Sequence, residues 1–187
     1  MHDLNLKGVS LMNIKEKIRT IPNFPEKGIM YRDISTLFNN SDGLQEVIQN
    51  FLKRYKNSND FDLVVGIEAR GFIVGSILAH ALKKGFVMIR KPGKLPGKVL
   101  SEKYKLEYGL DKMEIQTDAF KPGSKILLVD DLLATGGTIL SAISLVEKLG
   151  GEIYETAFVI DLPELGGSAE LSDKGIVVFS LVQFEGH

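Results

Sequence analysis

Asp130 and Asp131 stand side by side after four consecutive apolar residues, Ile126-Leu127-Leu128-Val129. A run of small residues follows, Ala134-Thr135-Gly136-Gly137-Thr138, and then a segment with helical spacing. Paired carboxylates accept hydrogen bonds from vicinal hydroxyls such as those of a ribose, and they suit a hard metal ion. A Gly/Thr loop offers backbone N–H groups and two hydroxyls to a phosphate, and the helix N-terminus behind it favours the negative charge. Alone, the acids read as a solvated turn and the loop as a helix cap. In this order they describe a cradle for a phosphorylated sugar. The loop holds no Lys, which sets it apart from the Walker pattern and favours a monophosphate over a nucleoside triphosphate.

Other residues of interest lie elsewhere in the sequence. Glu68-Ala69-Arg70-Gly71 reads as a strand-to-helix turn whose arginine and backbone N–H groups suit a diphosphate. Arg90-Lys91-Pro92-Gly93-Lys94-Leu95-Pro96-Gly97-Lys98 carries four cations, two Pro and two Gly and reads as a mobile loop. Phe24 and Tyr31 read as core plugs, and Glu107-Tyr108 as an ordinary exposed pair.

These groups need elements to position them. The runs at 63–67, 86–89, 126–129, 153–160 and 176–181 read as strands, with the two acids ending the third. Helical spacing covers 13–20, a segment capped around Ser41-Asp42-Gly43, residues 72–82, and residues 139–149 before Gly150-Gly151. Residues 103–106 and 112–117 read as arms of a hairpin around Tyr108-Gly109. Strands alternating with helices predict an α/β fold with a mostly parallel, doubly wound sheet. Ligands bind beyond the carboxyl ends of such strands, where the segments at 68–71, 90–94 and 130–138 all fall.

Composition bounds the rest. The 187 residues suit one domain, and 44% hydrophobic residues suit a sizeable core. A net charge of −1 gives no sign of a nucleic-acid or membrane partner. No apolar run reaches a membrane span, and the first residues lack a signal-peptide pattern, so a cytoplasmic protein is expected. There is no Cys for thiolate chemistry, and the three His give no basis for a His-rich metal site.

The stretch from Val129 to Thr138 resembles the phosphoribosyl-pyrophosphate signature of the type I phosphoribosyltransferases. Further stretches resemble the adenine-using branch of that family: Phe24-Pro25, Tyr31-Arg32-Asp33-Ile34-Ser35, Glu68-Ala69-Arg70-Gly71-Phe72, the basic Pro/Gly loop, Leu106-Glu107-Tyr108-Gly109, and Ser180-Leu181-Val182-Gln183-Phe184-Glu185. They keep the family's order from about Ile14 to Glu185.

The resemblance implies a twisted parallel sheet flanked by helices, an N-terminal hood over roughly 1–35 and a flexible hairpin loop over roughly 95–117. It implies that adenine and phosphoribosyl pyrophosphate become AMP and pyrophosphate, with Mg²⁺, in a homodimer. It assigns Asp130 and Asp131 to the ribose hydroxyls and as candidate metal ligands, and Ala134, Thr135, Gly136, Gly137 and Thr138 to the 5′-phosphate. Glu68, Ala69, Arg70 and Gly71 take the pyrophosphate, with Arg90 and Lys91 near it or reaching across the dimer. Met30, Tyr31 and Arg32 form the base site, partly through backbone groups. Glu107 and Tyr108 ride the closing loop.

One departure is informative. Ala134 stands where several 6-oxopurine enzymes carry a proton-transfer acid, which leaves Glu107 as the candidate catalytic acid or base. The competing readings are a transferase for xanthine or hypoxanthine, and a phosphoribosyl-pyrophosphate sensor without catalysis.

Overall fold

Five parallel strands form the centre of the protein, in the order β4-β3-β7-β8-β9. They are β3 (Leu63–Ile67), β4 (Gly85–Ile89), β7 (Lys125–Leu133), β8 (Glu152–Asp161) and β9 (Val178–Gln183). The structure, a computed structural model, describes residues 11–56, 58–106 and 109–186.

The apolar runs fill both faces of the sheet, because successive side chains along a strand point to opposite sides. In β7, Leu127 and Val129 enter one core cluster while Ile126 and Leu128 enter the other, and all four are fully buried. Helices α3 (Ser41–Arg54) and α4 (Gly71–Leu82) supply the first cluster with Val47, Phe51, Val74 and Leu78. Helix α5 (Gly137–Lys148) supplies the second with Ile139, Ala142, Leu145 and Val146. A buried Glu155 on β8 fixes α3 to the sheet. It accepts hydrogen bonds from Arg54 Nη2 at 3.1 Å and from the Tyr55 hydroxyl at 3.1 Å.

Strand order across the sheet locates the site. From β3 the polypeptide moves outward to β4 and then returns to the other side of β3 as β7. The connections leaving β3 and β7 therefore diverge from adjacent strand ends, which opens a crevice there.

Smaller elements frame that crevice. Helix α1 (Leu11–Glu16) leads into an antiparallel pair, β1 (Arg19–Pro22) and β2 (Met30–Asp33), and a short helix α2 (Ser35–Phe38) follows. The Arg32 side chain ties this hood to the C-terminal segment. It donates to Thr20 Oγ1 at 2.7 Å and to the Glu185 carbonyl at 3.1 Å, with its guanidinium 4.5 Å from the Phe184 ring centroid. A second antiparallel hairpin, β5 (Val99–Leu106) and β6 (Gly109–Gln116), buries Met113 and Ile115 in the second cluster. Helix α6 (Gly167–Asp173) lies between β8 and β9.

Several expectations change here. The acids do not end β7: pairing with β8 continues through Asp130↔Phe158 to Leu133↔Asp161. A strand already committed on both edges tolerates polar residues at its end, so the change to polar character does not mark its boundary. The cap of α3 is Asn40, whose side chain accepts from the Gly43 N–H at 2.7 Å. The helix expected over 13–20 stops at Glu16, and the backbone is extended from Arg19. The hairpin arms run longer than expected and occupy most of 95–117.

The basic Pro/Gly loop is tied down rather than free. Arg90 and Glu114 exchange backbone hydrogen bonds at 2.9 and 2.7 Å, and Gly93 N–H donates to Glu114 Oε2 at 3.0 Å. Gln116 Nε2 donates to the Pro96 carbonyl at 3.0 Å. These bonds compensate for an apolar core that the loop lacks.

Asp33, at the end of β2, is held by Ser35 and by the Arg19 guanidinium, which lower its pKa from 3.8 to about 2. A depressed carboxylate pKa stabilises the fold above the unfolded value, and that contribution disappears as pH falls through the native value. Replacing Asp33 with Asn should therefore lower stability at pH 7. It should also flatten the loss of stability between about pH 4 and 2, as read by denaturant titration across that range.

Candidate functional site

The crevice at the ends of β3 and β7 is a cavity of about 410 Å³. Its walls are residues 68–70 after β3, residues 130–139 from the end of β7 into α5, Lys91 and Met113.

The two walls can approach because Gly71 has no side chain. A Cβ there would lie 2.7 Å from Asp130 Oδ1 and 2.9 Å from the Val129 carbonyl oxygen, both too close. Helix α4 thus begins directly against β7, and the turn before it faces the acids. The Glu68–Ala69 peptide bond within this turn is cis.

The phosphate loop is built with equal economy. Gly136 has φ +89°, a left-handed conformation that favours glycine, and from there the backbone enters α5 at Gly137. The loop proper is thus residues 134–136, while Gly137 and Thr138 belong to the first helical turn, whose N–H groups have no partner within the helix, and both line the cavity. Behind the loop, Gly167 N–H donates to the Ala134 carbonyl at 3.0 Å, and a Cβ on Gly136 would meet Gly167 Cα at 3.2 Å. Gly167 belongs to the site's support, and no sequence motif singles it out. The available signal is a Gly-Gly pair following a strand of the same parallel sheet.

Asp130 and Asp131 both reach the cavity. Asp130 Oδ1 accepts from the Asp131 N–H at 2.9 Å. Burial raises the pKa of both, and the charge of Asp131 adds to the rise at Asp130. Arg70 Nε lies 2.8 Å from Asp131 Oδ2, a buried oxygen that accepts no well-aligned hydrogen bond. Desolvation opposes the charge of Arg70, but Asp131, Tyr31 and Asp130 outweigh it and raise its pKa.

Glu68 serves a neighbour rather than an anion. Its carboxylate accepts from Arg90 Nη2 at 2.8 Å and from the Lys91 N–H at 2.9 Å. The Arg90 hydrogen bonds keep its pKa below the ordinary carboxylate range. A carboxylate would repel a phosphate, so what Glu68 offers an anion is the cation it orients.

Among the expected base-site residues, Met30 and Tyr31 lie at the hood's mouth, with Tyr31 edge-on to Phe24 at 5.1 Å between ring centroids. The Nη atoms of Arg32 are engaged by Thr20 and the C-terminal segment, and its Nε is buried. Among the described residues β2 pairs only with β1, so one edge of its backbone is open. Glu107 and Tyr108 lie outside the described residues.

A Gly/Thr loop at a helix start, a pair of acids on the strand that leads into it and a switch point between β3 and β7 lie together around one cavity. The phosphoribosyl transferase domain model matches residues 33–184. The protein is 58% identical over 176 residues to adenine phosphoribosyltransferase of Chlorobium phaeovibrioides, covering 94% of this sequence and 99% of that one. It superposes on the crystal structure of adenine phosphoribosyltransferase from Thermoanaerobacter pseudethanolicus with a TM-score of 0.88 at 44% identity, covering 94% of this protein and 100% of that one. The Saccharomyces cerevisiae enzyme, solved with adenine and an imino-altritol bisphosphate, gives 0.86 at 39% identity over 92% of this protein and 98% of that one. The protein belongs to the adenine phosphoribosyltransferases.

Ionising two crowded acids works against folding. A raised native carboxylate pKa means that stability falls as pH rises from the unfolded value through the native one. Replacing Asp130 with Asn should therefore raise the melting temperature at pH 7, with about 1 kcal/mol corresponding to roughly 2–4 °C in a protein of this size. Calorimetry of the two proteins checks this; a lower melting temperature for the variant would show the pair to be net stabilising.

Proposed function

We propose that this protein transfers the phosphoribosyl group of phosphoribosyl pyrophosphate to adenine, giving AMP and pyrophosphate. The observation that carries this reading is the single cavity wall joining residues 68–70 to Asp130, Asp131 and residues 134–138. Such a wall offers one donor molecule a seat for each of its parts: diphosphate, ribose hydroxyls and 5′-phosphate.

The 5′-phosphate sits against the backbone N–H groups and hydroxyls of residues 134–138, at the positive end of α5. Asp130 and Asp131 accept the ribose 2′- and 3′-hydroxyls. Arg70 and the backbone of residues 68–71 bind the diphosphate, with Arg90 and Lys91 adding positive charge nearby. In the reaction the C1′–O bond to pyrophosphate breaks, the C1′–N9 bond to adenine forms, and the N9 proton leaves. Positive charge develops on C1′ as the leaving group departs, and the two carboxylates stabilise it. Adenine presents an amine donor beside the N1 acceptor. The open edge of β2 at Met30, Tyr31 and Arg32 can match that pattern with backbone carbonyl and N–H groups. Glu107 is assigned to proton transfer, since Ala134 supplies no acid or base, and Glu107 with Tyr108 closes the site against water.

Magnesium belongs to this reading as a companion of the donor. The described residues contain no group of three or more His, Cys, Asp or Glu able to hold a metal ion. Two carboxylates plus substrate oxygens nevertheless fit Mg²⁺, which prefers few protein ligands and keeps its waters. Asp130 and Asp131 would hold it, and when bound it neutralises the diphosphate leaving group.

A homodimer, in which Arg90 or Lys91 approaches a neighbour's diphosphate, completes the assignment, as does a cytoplasmic location. A highly charged phosphorylated donor does not cross membranes unaided, and no helix among the described residues is long and apolar enough to span one. The relatives do not favour a transferase for xanthine or hypoxanthine, nor a sensor without catalysis.

A substrate panel with phosphoribosyl pyrophosphate and Mg²⁺ tests the reading. AMP should form from adenine, with hypoxanthine, guanine, xanthine and orotate far poorer; a preference for hypoxanthine would overturn the base assignment alone. Changing both Asp130 and Asp131 to Asn should lower kcat/KM by at least a hundredfold, on the order of 3 kcal/mol of transition-state stabilisation. Near-normal turnover in that variant would refute the role given to the acids.

A further inference from the structure

We propose that Tyr31 is a positioning residue for the donor site, its hydroxyl holding the Arg70 guanidinium in place beside Asp131. The proposal rests on the function given above and extends it to a residue assigned so far only to the base.

Arg70 is common to the walls of two cavities. One is the donor cavity, and the other, of about 440 Å³, lies under the hood and includes Tyr31, Asp33, Ser35 and Phe38. Two different nitrogens of the guanidinium are engaged. Nη1 donates to the Tyr31 hydroxyl oxygen at 2.6 Å, and Nε lies 2.8 Å from Asp131 Oδ2. The guanidinium carbon also sits 6.0 Å from the Tyr31 ring centroid. One contact would leave a long side chain free to swing about it; two contacts on separate nitrogens fix the plane of the fork. The remaining N–H groups are then aimed in a defined direction, which bidentate recognition of a diphosphate requires.

Tyr31 can perform this task because it is itself fixed. Its backbone pairs with Ile21 of β1, and its ring rests edge-on against Phe24. The hydroxyl is the only part of the side chain aimed at Arg70 as a hydrogen-bond acceptor, and phenylalanine would keep everything else. The hood is thereby wired to the ribose acids through one guanidinium, in the order Tyr31, Arg70, Asp131. Any shift of β2 upon filling the base site is passed to the residue that faces the diphosphate.

The test is a double-mutant cycle with Tyr31→Phe and Arg70→Gln, read both as kinetics and as binding of inorganic pyrophosphate by calorimetry. The Y31F protein should show KM for phosphoribosyl pyrophosphate and Kd for pyrophosphate raised about five- to tenfold, as for loss of one hydrogen bond to a charged group. The rise in Kd for pyrophosphate should exceed any rise in KM for adenine, and the melting temperature should be nearly unchanged. In the R70Q background, adding Y31F should produce no further weakening. Unchanged pyrophosphate binding in Y31F, or a full additive effect on top of R70Q, would overturn the proposal; so would a selective rise in KM for adenine. The two readings fail separately. A wild-type protein that makes no AMP yet loses pyrophosphate affinity through Y31F would sink the proposed reaction and leave the positioning role intact.

Discussion

The close approach of α4 to β7 at Gly71 is the constraint from which the site follows. Strands β3 and β7 are neighbours, but their connections run in opposite directions, and a side chain between them would hold the two walls apart. With Cβ forbidden by Asp130 and the Val129 carbonyl, the turn before α4 lies against the acids of β7. The same economy recurs one strand further on, where Gly136 and Gly167 bring the phosphate loop against the segment after β8. Backbone packed on backbone is rigid, and it leaves N–H groups pointing at ligand instead of covering them with side chains.

Charge is arranged around that geometry in linked pairs. Crowding Asp130 against Asp131 at a buried strand end costs stability, and Arg70 offsets part of it from the adjoining turn. One turn away, Glu68 holds Arg90. Asp131 thus holds a cation that lines the cavity, and Glu68 one beside it. A ligand bringing its own diphosphate and hydroxyls meets donors and acceptors already set, which lowers the reorganisation needed on binding.

The sheet was legible in the sequence because strands buried on both faces are continuous apolar runs. The runs 63–67 and 126–129 match the cores of β3 and β7 closely. Boundaries were less legible. Nothing local in Asp130-Asp131 announces that β8 keeps pairing alongside them, since the pairing partner is some thirty residues away in sequence. The hydrogen bonds of the basic loop were illegible for a similar reason: Pro and Gly signal irregular backbone, whereas its partners Glu114 and Gln116 lie on another element. The place of the site was legible where a contiguous motif lines the cavity, as at residues 134–138. The roles of Glu68, Arg32 and Gly167 were not, because each acts on a partner that only the fold brings near.

That division bears on how specificity is built. The loops proposed to hold the donor are positioned by the sheet itself, and their sequence carries the signature. The proposed base site is at β2, an element outside the sheet, tied to it through Arg32 at the C-terminal segment and through Tyr31 at Arg70. A backbone edge can read adenine with no distinctive side chain at all, so base choice leaves little trace in residue types. What it demands is that β2 be held at the right distance from C1′. On the proposed assignment, base choice depends on contacts that fix the hood as well as on groups that touch the base, and Arg32 and Arg70 make two of those contacts.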